Sequence, residues 1–146
     1  MYFVDRDKIE DKLRFIDHQV GLFQAQQQWN TDFEKAALER IIHMTIEALL
    51  DVGNAMIDGF IMRDPGSYED IIDILEDEKV ITREMSVGYK RIIAYRKNLQ
   101  QFYTNINHSE LVGAFDKELP VLKSFTSHVR KYLESAMGVV TAFMPN

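Results

Sequence analysis

Arg96–Tyr103, "RKNLQQFY", is a stretch whose residue types could do chemistry. Guanidinium and ammonium groups bind phosphate, the amides of Asn98, Gln100 and Gln101 hydrogen-bond without titrating, and the rings of Phe102 and Tyr103 can stack on bases. A plain surface helix would mix carboxylates into such a run, and a plain core helix would carry more aliphatic residues. The surroundings extend the bias. From Lys79 to Asn107 the basic residues are Lys79, Arg83, Lys90, Arg91, Arg96 and Lys97, and Glu84 is the single acid, so a +5 segment sits inside a chain of net charge −6. Two readings stand on composition. The strip could grip the backbone of a nucleic acid, with Tyr89, Tyr95, Phe102 and Tyr103 interleaved for stacking. It could equally be a solvated face that balances acidic neighbours such as Glu76–Lys79, "EDEK", with the aromatics in the core.

A second polar set lies upstream. His43, Glu47, Asp51, Asn54 and Asp58 recur at spacings of four, four, three and four, which places them on one helix face. As a metal site this set is poor: His43 and Glu47 make one pair a turn apart, and nothing nearby in sequence completes a ligand set. A solvated face, or a polar face turned toward a basic helix, remains. The chain has no cysteine, which excludes disulfides, thiolate metal sites and thiol nucleophiles and fits a cytoplasmic setting. Neither a glycine-rich phosphate loop nor a Gly-x-Ser-x-Gly elbow nor a His-Glu-x-x-His pair occurs. No cofactor is expected.

The elements that must position these residues are helices. Apolar residues recur at three and four, strand-like alternation is scarce, and only three prolines and seven glycines interrupt 146 residues. The first helix should start at Asp5 and bury Ile9, Leu13, Ile16, Val20 and Phe23. Thr31 and Glu34 have capping-box spacing and should open a long second helix to about Gly59, with Leu38, Ile41, Ile42, Thr45, Ile46, Leu49 and Val52 inward. Ser67 should cap a short third helix, and Thr82 a fourth that runs to about Leu99–Phe102. The last should start near Ser109 and carry Leu111, Phe115, Leu119, Leu122, Phe125, Val129 and Leu133, with a kink or short break at Pro120. The prediction is one all-α domain over 1–146, an antiparallel bundle of about five helices. Charges at once in "MYFVDRDKIE" argue against a signal peptide. No apolar run approaches the ~18 residues of a membrane span.

With these elements in place, "ALERIIHMTIEALLDVGNAMI" (37–57), "SYEDIIDILEDEKVI" (67–81) and "YKRIIAYRKNLQQFY" (89–103), in that order, resemble the HepT-like toxins of the HEPN superfamily. The resemblance runs over nearly the whole chain. It implies a small all-α protein that forms a homodimer, a metal-independent ribonuclease acting on RNA, and a nucleotidyltransferase antitoxin as partner. The family motif is Arg, four to six residues, His, one residue, Tyr, often with Asn just after the Arg. On this chain the Arg is Arg96 and the Tyr is Tyr103. Gln101 stands in the histidine position, and Lys97 stands where Asn is usual, with Asn98 following. By resemblance the catalytic positions are Arg96, Gln101 and Tyr103. Arg91, Lys97 and Asn98 are then candidates for substrate binding, and His43, Glu47, Asp51 and Asn54 for a supporting polar face.

Cleaving RNA without metal needs a base for the 2′-hydroxyl proton and an acid for the leaving oxygen, and histidine serves because it titrates near neutrality. Arginine stabilises phosphate charge. Glutamine keeps the size and hydrogen bonding of the site but cannot carry a proton. Seven residues apart on a helix, Arg96 and Tyr103 would face one way and position 101 well away from Arg96, unless the helix end relaxes or a second subunit supplies it. His43 and His108 are the substitutes nearest the site; His18 and His128 have no motif spacing. Two functions therefore stay open: a weak or inactive toxin-type ribonuclease, and a non-catalytic dimeric module that binds RNA, a nucleotide or the nucleotidyltransferase.

Overall fold

The computed structural model describes residues 4–142, with side chains over 4–137. The ends of the expected 1–146 domain, residues 1–3 and 143–146, lie outside the described residues. Seven helices follow one another among the described residues: α1 (Arg6–Ala25), α2 (Asp32–Gly59), α3 (Tyr68–Asp77), α4 (Arg83–Ile93), α5 (Arg96–Gln100), α6 (His108–Lys117) and α7 (Leu119–Ala142).

Local chemistry sets most starts. Asp5 Oδ1 accepts the Lys8 N–H at 3.1 Å and caps α1. Thr31 and Glu34 complete a reciprocal capping box on α2, Thr31 Oγ1 accepting from Glu34 N at 3.1 Å and Glu34 Oε1 accepting from Thr31 N at 2.9 Å. Ser67 Oγ accepts from Asp70 N and Thr82 Oγ1 from Met85 N, which caps α3 and α4. Each such cap contributes about 1 kcal/mol.

About five helices were expected and seven are found, because two predicted helices are each split. The fourth does not run on to Leu99–Phe102. Its last turn tightens at Ala94 and Tyr95, whose N–H groups donate to Lys90 O and Ile92 O, and a new helix starts at Arg96. The last breaks at Glu118, just before Pro120, where proline has no N–H to continue the ladder. Its first part begins at His108, capped by Asn107 Oδ1 on Glu110 N at 3.1 Å.

Packing closes a ring: α1 lies on α2 and α7, α2 on α3, α3 on α4, and α4 on α7, while α5 and α6 pack on α2. The core is continuous through the predicted stripes of α1 and α2 and through Leu111, Phe115, Leu122, Phe125, Val129 and Leu133, with Leu119 partly buried at its edge. Tyr89 ties α4 to α7: its ring meets Phe125 edge-on at 5.5 Å and its hydroxyl donates to Val121 O at 2.6 Å. Arg130 of α7 clamps Glu10 of α1 through several hydrogen bonds. Gly53 lets α2 approach α3, since a Cβ there would lie 2.5 Å from Ile71 Cγ2. No helix among the described residues is long and apolar enough to cross a membrane.

Candidate active site

The break at Ala94–Tyr95 turns the basic segment into two faces. Arg91, Tyr95 and Asn98 line a cleft of about 510 Å3 against α6, together with Glu110, Lys117 and Glu118. Arg96 turns instead to α2. Its Nε donates to Glu47 Oε1 at 2.6 Å, and its guanidinium carbon stacks 4.2 Å from the centre of the Tyr68 ring on α3. The Arg96 side chain is only 17% exposed, so it is a seated group rather than a free surface cation. The Glu47 hydrogen bond holds the guanidinium more firmly protonated than usual, against the opposing effect of burial.

His43 shares the same carboxylate oxygen. Its Nε2 lies 3.5 Å from Glu47 Oε1, and both side chains are partly exposed. One turn earlier on α2, Glu39 Oε2 lies 2.8 Å from His108 Nε2, which fixes the first residue of α6 to α2. Asp51, one turn past Glu47, pairs with Lys12 of α1 at 3.2 Å. Asn54 is exposed. Glu39, Glu47 and Asp51 of α2 thus meet partners on α6, α5 and α1, and the Tyr68 ring of α3 backs Arg96.

The expectation that Arg96 and Tyr103 face one way on a shared helix is corrected. Helix α5 ends at Gln100, and Gln101 is its C-cap. Gln101, Phe102 and Tyr103 lie beyond it in an exposed connection to α6, with Tyr103 64% exposed. The helix therefore ends at Gln101, whose N–H still donates to Lys97 O at 2.8 Å. Lys97 lies over the Phe102 ring, 5.7 Å from its centre.

The basic strip is less bare than composition suggests. Arg83 meets Glu76 at 3.5 Å, Arg91 meets Glu118 at 3.5 Å, and Lys90 pairs with Asp73. Carboxylates of α3 and of the α6–α7 junction thus answer cations of α4. Glu118 is buried, and its second oxygen has no hydrogen-bond partner. On the cleft wall Tyr95 donates to Glu110 at 3.1 Å; burial, and then this carboxylate, push its hydroxyl pKa up. No group of three or more His, Asp or Glu side chains among the described residues could hold a metal ion.

Sequence reasoning missed Tyr68 and Glu39. Tyr68 is the first residue of α3, directly after its cap, and no spacing connects it to Arg96. Glu39 lies one turn before His43 and would have extended the polar stripe.

Chemically, the arrangement offers a seated cation, a carboxylate that orients it, a histidine on that carboxylate, and an exposed tyrosine nearby in the chain. The model of the ribonuclease HepT-like family matches residues 9–129. The Bacillus subtilis (strain 168) protein named "Putative RNase YutE" is 50% identical over 143 residues, 98% of this chain and 99% of that one. The solved structure of YutE from Bacillus subtilis superposes with a TM-score of 0.92, covering 94% of this chain and 96% of that chain. More distant solved structures share the fold. A toxin–antitoxin complex with AMP-PNP gives a TM-score of 0.77 at 18% identity, covering 86% of this chain and 99% of that one. A tri-AMPylated Shewanella oneidensis HEPN toxin in complex with its MNT antitoxin gives 0.76 at 20% identity, covering 86% and 98%. The chain belongs to the HepT-like ribonuclease family.

Proposed function

We propose that the protein is a metal-independent ribonuclease of low intrinsic rate. Its phosphate grip is Arg96, and Gln101 occupies the place of its proton carrier. The observation that carries this reading is the seating of Arg96. Glu47 takes its Nε edge and the Tyr68 ring covers one face, which leaves a guanidinium of fixed direction beside a titratable histidine. A group that only solubilised the surface would not need a carboxylate 49 residues away and an aromatic plane to fix it. Arg91, Lys97 and Asn98 extend the contact to flanking nucleotides from the adjoining faces of α4 and α5, and Tyr103 orients the phosphate.

The test separates binding from cleavage. Fluorescence anisotropy should show RNA binding that weakens steeply with salt and is lost when Arg91, Arg96 and Lys97 are all replaced by alanine. Slow RNA cleavage should persist in excess chelator and vanish in Arg96→Ala. Unchanged binding in the triple variant means that the strip is only a solvated face.

A second reading rests on Tyr103. Its exposed side chain suits it to accept a nucleotidyl group from a nucleotidyltransferase partner. The Shewanella oneidensis toxin of the same fold is described as tri-AMPylated and in complex with an MNT antitoxin, which supports this partner class. Self-association is the companion proposal. Phe15, Leu22 and Phe33 are exposed around a cleft of about 480 Å3 between α1 and α2, an apolar surface suited to a second copy. A cytoplasmic site of action is proposed on the cysteine-free chain and on the description of YutE as a cytosolic protein.

A further inference from the structure

Two anchors fix the course of the chain after the break. Arg96 is held at Glu47 and His108 at Glu39, and these carboxylates are eight residues apart on one face of α2, roughly 12 Å along its axis. His43 lies midway, four residues from each, on the same face. The segment that carries Gln101 and Tyr103 joins the two anchors, so it has to pass the level of His43. The His43 and Arg96 nitrogens touch one oxygen, Glu47 Oε1, at 3.5 and 2.6 Å, so they lie no more than about 6 Å apart. A phosphodiester held by Arg96 would therefore have an imidazole within reach, and His43 is exposed enough to meet it.

We propose that His43 is the proton-transfer residue of this site, doing from α2 what Gln101 cannot do from the end of α5, with Glu47 as its positioning carboxylate. This rests on the ribonuclease reading and names the group that reading leaves unassigned. The neutral imidazole takes the proton of the RNA 2′-hydroxyl, and that oxygen forms a bond to phosphorus. The bond from phosphorus to the 5′-oxygen breaks, and the leaving oxygen takes a proton from water. The products are a 2′,3′-cyclic phosphate and a 5′-hydroxyl, and the imidazolium returns its proton to solvent. No metal or further reactant is needed. With one histidine rather than an acid–base pair, the rate is low.

The test uses the whole protein with a fluorogenic RNA in excess chelator, and measures RNA binding separately by anisotropy. His43→Ala and His43→Gln should each lose ~10²-fold or more in cleavage while binding RNA as before. Added imidazole should restore part of the rate to His43→Ala, which a merely structural role would not allow. The natural protein should show a limb in its pH–rate profile that is absent from both variants. The charged and titratable groups around His43 are Glu39 and Glu47 on α2, Arg96 from α5, Tyr68 from α3 and His108 from α6, with Lys12 of α1 one turn further on at Asp51. Glu47→Gln should shift that limb, and His128→Ala on α7 should leave it in place. RNA that is bound but not cleaved by the natural protein overturns the proposal. So does cleavage indifferent to His43, or imidazole rescue of His108→Ala with full activity in His43→Ala. Failure to bind RNA at all overturns the ribonuclease reading itself.

Discussion

Arg96 and His43 meet on one atom, Glu47 Oε1, although 53 positions separate them in the chain. That carboxylate therefore fixes two groups at once. Glu47→Ala should release Arg96 from its seat and weaken RNA binding and cleavage together. Glu47→Gln should keep the Arg96 hydrogen bond and so preserve binding better than cleavage. Anisotropy and cleavage assays on the two variants check this. Equal loss of both activities in both variants counts against a positioning role.

Gly53 sets the distance between α2 and α3, and α3 carries the Tyr68 ring that backs Arg96. Alanine is ordinarily the better helix former by ~1 kcal/mol. Here its Cβ would lie 2.5 Å from Ile71 Cγ2, a branched and buried side chain. Gly53→Ala should therefore lose ~1–3 kcal/mol in urea unfolding despite its propensity advantage. A gain in stability would show that α3 shifts without cost.

Ile61 follows the end of α2 with a backbone φ of 54°, in the left-handed region, and its side chain is exposed. A β-branched residue is strained there by roughly 1–2 kcal/mol. Ile61→Gly should raise the melting temperature, because the strain removed exceeds the small contact area lost. A lower melting temperature would mean that the Ile61 side chain contributes more than its exposure suggests.

Glu10 and Arg130 join the first and last helices. The Arg130 hydrogen bonds hold the Glu10 carboxyl below its ordinary 4.5. The native state thus favours the ionised form, and its stabilisation is complete above the unfolded-state value and lost as pH falls through the lowered native one. Both side chains are partly exposed, so the contribution is at most ~1 kcal/mol. Glu10→Gln should be less stable than the natural protein at neutral pH, and the difference should shrink below about pH 4. A constant difference across the range would place the loss in packing rather than charge.

Much of the fold was legible because its signals are local. Asp5, Thr31 with Glu34, Ser67 and Thr82 announce helix starts through side chains that reach only three residues along the chain. The apolar stripes of α1 and α2 are buried as their period requires. The break at Ala94–Tyr95 was not legible, because no glycine or proline marks it and "IIAYRKNL" keeps a helical period across it. That break rotates Arg96 away from Arg91 and toward α2, so the site's geometry depended on the one junction without a signal. Arg96, Gln101 and Tyr103 could be named from their resemblance to a motif. Their surroundings could not, because the Glu47–Arg96 and Glu39–His108 contacts span 49 and 69 residues. Tyr68 reaches Arg96 only through the packing of α3 on α2.

Position 101 gives the most direct measurement. The natural protein and Gln101→His are compared for cleavage of a fluorogenic RNA in excess chelator, with RNA binding and helical content measured on the same samples. Gln101 is the C-cap of α5, in the segment between the Glu47 and Glu39 anchors that lie either side of His43, and a histidine there is expected to complete an acid–base pair. The predicted result is slow cleavage by the natural protein and a gain of ~10²–10⁴-fold in Gln101→His, lost again on Arg96→Ala. No cleavage by either protein, with fold and RNA binding retained in both, would contradict the ribonuclease reading and leave a binding module in its place.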